Sequence, residues 1–196
     1  MVKNMNSKEI NEQLEMNYTE LVDYLLKKYG KAKYDYFCNE LCKSKNKKVS
    51  RTNEGLFCHH IDEDKSILLS NDKFAIQSPF EYQKADRLVY CNILEHLILH
   101  IKIVEEPKQT NYQGIGGAVC IICPQINDFF NGYIFKQQYL NTCFNLIKNN
   151  FDDYINVLKY FLKFIEQNAS YKKYITKKNL SVGYNGQIIK KIYDLL

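Results

Sequence analysis

Arg87-Leu88-Val89-Tyr90-Cys91-Asn92-Ile93-Leu94-Glu95-His96-Leu97-Ile98-Leu99-His100 changes character partway along. It begins as a short β-prone run, and Asn92 followed three residues later by Glu95 is close to a capping-box pattern, which places a helix start at Asn92. Histidines four apart on a helix project from one face, so His96 and His100 are expected to point the same way from its first two turns. Upstream, Gly55-Leu56-Phe57-Cys58 is a second β-prone run leading into His59-His60, so all four histidines of the 196-residue chain fall into two tight pairs. Turn signals at Ser70-Asn71-Asp72 and Ser78-Pro79 mark a loop between the two runs. The predicted order is strand, long loop, strand, helix, with the pairs brought together from the first strand and the helix.

Two histidine pairs so disposed suit metal-assisted hydrolysis. Cleaving a phosphodiester needs a base to deprotonate water, a Lewis acid for the non-bridging oxygens and help for the departing oxygen. A histidine near its ordinary pKa of about 6.5 can be that base at neutral pH. One divalent ion is expected, Zn²⁺, Ni²⁺, Mn²⁺ or Mg²⁺, and neutral imidazoles suit Zn²⁺, Ni²⁺, Co²⁺ or Mn²⁺ better than Mg²⁺. Glu95 precedes His96 and Leu97 follows it, so the His-Glu-x2-His order of a zinc protease is absent. Asp62-Glu63-Asp64 could add a carboxylate ligand or be a solvated turn.

On these residues the segment resembles the ββα-metal core of the HNH, or His-Me finger, endonucleases, and is most similar to the colicin-type branch with its His-His pair followed by His-x3-His. The resemblance covers about a quarter of the chain. It implies His59, His96 and His100 as metal ligands and His60 as general base, with an open coordination position for the scissile phosphate. The family's middle position, usually Asn just before the second strand, falls on Arg87, or on Asp86 if the register slips by one. Arg87 is therefore expected either to contact phosphate in place of the usual amide or to mark a degenerate site. Asn92 is too near His96 for that position.

The rest of the chain frames this segment. Sixteen Tyr, eleven Phe and no Trp, with few Gly and Pro, describe a mostly helical α+β domain. We expect one domain over residues 1–196: a helical and basic segment over 1–50, the ββα-metal core over 51–104 and a helical extension over 105–196. Apolar spacing predicts helices over Ile10–Tyr29, ending at Gly30, over Lys33–Cys42, and over Asp152–Gln167, started by Asp152 or Asp153. Residues 118–130 and 137–147 are apolar-rich and helical or mixed. Gly114-Ile115-Gly116-Gly117 ends a polar loop from Lys108, lacks phosphate-loop spacing, and belongs near the rim of the site.

Net charge is +5, a modest argument for an anionic ligand. Lys43, Lys45, Lys47, Lys48 and Arg51 come without an intervening acid. They are either a solvated loop or, with Lys45, Lys47, Lys48 and Arg51 foremost, a grip on a phosphate backbone. Lys172, Lys173, Lys177 and Lys178, interleaved with Tyr171 and Tyr174, allow the same two readings. Nucleic acid, with DNA the expected form, is thus the anticipated partner; a protein partner is possible but not indicated. Cys38-x3-Cys42 and Cys120-x2-Cys123 could hold a structural zinc, but their spacings suit a helix face and a core run better. Seven cysteines, no secretory signal and no apolar run long enough to span a bilayer point to reduced thiols, a cytoplasmic location and no membrane association. The competing reading is a catalytically inactive, metal-stabilised module from a phage or mobile element that binds nucleic acid or protein; a metal hydrolase of small phosphoesters, which needs a closed pocket, is a third.

Overall fold

The computed structural model describes residues 7–106, 113–176 and 194. Along them run α1 (Ser7–Glu15), α2 (Tyr18–Tyr29), β1 (Phe57–His60), a short α3 (Asp72–Ala75), β2 (Leu88–Cys91), α4 (Ile93–Glu105), α5 (Ile115–Gly117), α6 (Cys123–Phe130), α7 (Gln138–Asn145), α8 (Phe151–Gln167) and α9 (Ala169–Lys172). The architecture is mostly helical α+β, with one two-stranded sheet. β1 and β2 pair antiparallel, His59 opposite Val89 and His60 opposite Leu88. The connection between the strands, residues 61–87, is far longer than a hairpin turn and runs through short 3₁₀ turns at Ile61–Asp64, Phe80–Gln83 and Ala85–Arg87 besides α3.

α4 follows β2 after a single residue. The Asn92 side chain accepts from the backbone N–H of Leu94 and Glu95, and the Glu95 carboxylate accepts from the Asn92 N–H, completing the capping box. Every residue of α4 from Ile93 to Val104 except His96 is buried, so this is the central helix and the others pack round it. Ile10, Leu14, Tyr18, Leu21, Val22 and Leu25 bring α1 and α2 to its core, and Val157, Leu158, Phe161 and Ile165 bring α8.

Polar anchors fix these contacts. The fully buried Glu95 carboxylate accepts from Lys28 Nζ at 2.7 Å, Tyr29 OH at 2.9 Å and Gln13 Nε2 at 3.3 Å, tying α1 and α2 to the start of α4. At the other end Lys102, 4% exposed, donates to the Leu14 carbonyl and Tyr160 OH, both at 2.6 Å, and to Glu105 at 2.8 Å. A buried ammonium is tolerable only with its donors so satisfied.

Several sequence expectations need correction. The apolar pattern over Ile10–Tyr29 is two helices, because Asn17 and Glu20 form a second capping box that starts α2 at Tyr18. The helix expected over Lys33–Cys42 is absent: Tyr36 N–H donates to the Gln83 carbonyl, Cys38 N–H to that of Ser44, and Cys42 takes a positive φ of 51°, so the backbone pairs with other segments. The first strand, Phe57–His60, carries the histidine pair at its end, as expected. α8 starts at Phe151, with Asn150 Nδ2 donating to Asp153.

Residues 115–130 run as α5, a π turn over Ala118–Ile122 and α6. No helix among the described residues is long and apolar enough to cross a membrane. Lys177, Lys178 and residues 108–112 lie outside the described residues.

Candidate metal centre

Strand alternation sends His59 and His60 to opposite faces of β1. His59 faces α4. Its ring centroid lies 5.2 Å from that of His96 and 5.2 Å from that of His100, and the two helix rings are 4.9 Å apart. One ligand atom from each of the three lies within 4.8 Å of the others, so the trio could hold a metal ion. Phe57, two residues before His59 on the same face, stacks on His96 at 5.8 Å and walls one side.

The hydrogen bonds around the trio determine which nitrogens carry lone pairs. Tyr18 OH donates its one hydrogen to the Ile61 carbonyl at 2.7 Å, so at 3.0 Å from His59 Nε2 it can only accept. His59 is therefore protonated on Nε2 and bears its lone pair on Nδ1. His100 Nδ1 lies 3.3 Å from the Gly114 carbonyl, which can only accept, so the His100 lone pair is on Nε2. Such outer contacts orient metal-binding imidazoles. Burial, and then the neighbouring imidazoles, hold His59 and His96 well below the ordinary histidine range, keeping both neutral as ligands must be. His59 Nδ1 and His96 Nδ1 are buried without a hydrogen-bond partner, a cost that a bound cation would remove at whichever of them it meets. The residues thus fit a divalent ion.

The glycine cluster makes room for this arrangement. A methyl group at Gly117 would overlap the His100 ring, and one at Gly114 would crowd the His100 carbonyl and Ile103. Gly114 also holds a φ of +80°, which side chains resist. The cluster is a site wall pressed onto His100. Beside it opens a cavity of about 380 Å³, lined by Glu63, His96 and His100 together with Ile67, Leu68 and Ile121.

On the other face, His60 is 1% exposed and its ring lies 4.4 Å from that of Tyr36. Gln83 Nε2 donates to the Leu69 carbonyl at 3.2 Å, which turns Gln83 Oε1 toward His60 Nε2 at 2.8 Å. His60 therefore donates through Nε2 and keeps its lone pair on Nδ1, which has no partner. Burial pushes its pKa down to about 4 against the pull of the Gln83 bond. Gln83 was not singled out from the sequence, because its contact with His60 crosses 23 positions of irregular chain.

Arg87 Nε and Nη2 grip the buried Asp62 carboxylate at 2.6 and 2.5 Å, and Lys65 joins at 2.7 Å. The acidic turn is thus clamped at Asp62 rather than solvated. Of the basic run, Lys45 Nζ donates to Tyr36 OH at 3.2 Å, on the His60 side, and Lys47 and Lys48 are exposed. Arg51 is engaged by Glu54 and the Tyr29 carbonyl and lies over the Tyr90 ring. No three cysteines among the described residues converge as metal ligands; Cys38 is exposed while Cys42 and Cys123 are buried.

No protein family matches this chain, and neither the curated proteins nor the solved structures contain a significant match to it.

Proposed function

We propose that the protein is a metal-dependent endonuclease of the ββα-metal kind, hydrolysing phosphodiester bonds of nucleic acid, with DNA the expected substrate. The observation that carries the proposal is the convergence of His59 from β1 with His96 and His100 from α4, within 4.8 Å, beside a strand neighbour available as base. A bound divalent ion supplies Lewis acidity for the charge that develops on phosphate oxygens.

The chain's own residues supply the rest. His60 is assigned as the base through its Nδ1 lone pair, with Gln83 holding the ring by its other nitrogen. Burial lowers its pKa to about 4, so it is a weaker base than the ordinary histidine expected from the sequence, and it stands on the face of β1 opposite the histidine trio. Tyr36 packs on that ring and brings Lys45 to the same side; with exposed Lys47 and Lys48 it forms the cationic approach for a phosphate backbone. Arg87 acts as a positioning residue: its bidentate bond to Asp62 fixes the turn that leaves β1, in the sequence position where the family resemblance places an asparagine.

The test is cleavage of supercoiled plasmid by metal-free protein supplied in turn with Mg²⁺, Mn²⁺, Ni²⁺ and Zn²⁺, beside His60→Ala. Nicking or linearisation that depends on metal and is lost in His60→Ala, with metal still bound, is the expected result. Full activity in His60→Ala would remove the assigned base.

One observation favours a second reading, the metal-stabilised binding module without catalysis. His60 is almost wholly buried, and the space beside the histidine trio is walled by Ile67, Leu68 and Ile121 rather than by cations. Stoichiometric metal binding with no cleavage under any metal would select that module.

A further inference from the structure

We infer that Glu63 is a fourth protein ligand of the ion that His59, His96 and His100 would hold. The inference rests on the metal centre proposed above and concerns how that centre is closed.

Glu63 Oε2 lies 3.3 Å from His100 Nε2 and 3.8 Å from His59 Nδ1. Both of those nitrogens carry lone pairs, since Tyr18 occupies the Nε2 hydrogen of His59 and the Gly114 carbonyl that of His100 Nδ1. When Glu63 is ionised, three lone-pair atoms face one another, an arrangement that a cation or a proton among them relieves. A single proton could bridge one pair, and 3.3 Å is long for an O–H···N bond. A cation between Glu63, His59 and His100 would satisfy all three contacts, and the His96 nitrogen belongs to the same histidine trio. Among the described residues, no lysine or arginine forms an ion pair with Glu63; its charged-group neighbours are the two histidines.

The turn is built to present this side chain. Ile61–Asp64 follows β1 directly, its Ile61 carbonyl is bound by Tyr18, and its Asp62 is held by Arg87 and Lys65. With Ile61 and Asp62 fixed ahead of it, Glu63 is directed to the histidines, and its side chain is 14% exposed. The resulting donor set is three imidazoles and one carboxylate, suited to Zn²⁺, Co²⁺ or Mn²⁺ and poorly suited to soft Cu⁺. Four protein donors can serve a catalytic ion only if one more ligand can enter, so coordination and cleavage have to be measured separately.

The experiment is competition for Zn²⁺ between a chromophoric chelator and the full chain, as wild type, Glu63→Gln and Asp64→Asn. The two variants remove the same charge from the same turn. We expect Glu63→Gln to bind Zn²⁺ at least about tenfold more weakly and Asp64→Asn to stay within about twofold of wild type. Equal affinity in Glu63→Gln and wild type would overturn the inference and leave Glu63 sharing a proton with His100. Equal weakening in both variants would overturn it in favour of a general charge effect. Should Glu63→Gln fail to fold, Glu63→Asp, which keeps the charge but shortens its reach, takes its place with Zn²⁺ and with Co²⁺: binding weakened at least about tenfold supports the inference, and wild-type affinity overturns it. A wild type that binds neither ion would instead remove the metal centre itself, and with it the proposed function.

Discussion

His60 sits one residue from His59, which faces His96 and His100, and its own surroundings are different, because a strand turns adjacent side chains to opposite sides. Its burial has a thermodynamic signature. The folded pKa of about 4 lies below the ordinary 6.5, so on acidification the unfolded chain takes up the proton first. The stability contributed by a neutral His60 is complete above pH 6.5 and is lost progressively between pH 6.5 and about 4, by about 3 kcal/mol in total. Urea unfolding of metal-free wild type and His60→Gln across that range should show a steeper acid loss in wild type. Parallel pH profiles would mean that His60 titrates normally. The adjacent Glu63 illustrates the limits of reading residues singly. From the sequence it could be a ligand or part of a solvated acidic turn, and its surroundings depend on Arg87 and Tyr18, which approach from 24 and 45 positions away in the chain.

At the scale of elements, the histidine pairs were legible because their information is local. Spacing of four on a helix and alternation on a strand are backbone periodicities, and the Asn92–Glu95 box fixed where the helix begins. The Asn17–Glu20 box carries the same signature and divides the first helical pattern in two, a division that apolar spacing alone does not show. The segment over 33–42 misled for the opposite reason: its residues tolerate a helix, but its backbone pairs with Gln83 and Ser44, which no local pattern announces. Gln83 as the partner of His60 was hidden in the same way. The glycine cluster was placed near the rim, and its role is tighter than that, since Gly117 allows the 115–130 segment to meet the His100 ring. Gly117→Ala should therefore displace His100. We expect at least a tenfold loss of Zn²⁺ affinity, while Gly116→Ala, where a methyl meets nothing within 4 Å, should bind as wild type does. Equal affinity in the two variants would show that the wall yields without moving the ligand.

At the scale of the whole molecule, the mostly helical α+β class followed from composition and periodicity, whereas the way the helices lock around α4 did not. That lock is polar at both ends of the central helix. Glu95 gathers Lys28, Tyr29 and Gln13, so removing its carboxylate strands several buried donors at once. Glu95→Ala should cost about 3 kcal/mol or more, read as a lowered urea midpoint, and Glu95→Gln should cost less because it keeps an acceptor oxygen. A cost below about 1 kcal/mol in Glu95→Ala would place the hold of α1 and α2 on α4 in apolar packing alone. The π turn over Ala118–Ile122 has a consequence of another kind. A π turn amounts to one surplus residue accommodated inside a helix, so the segment carries a built-in phase shift of roughly 100° between the wall that meets His100 and the stretch that enters the core. Deleting one residue there would leave a good helix that could no longer serve both tasks: with Gly117 still against the imidazole, Ile126 would be wound away from the interior.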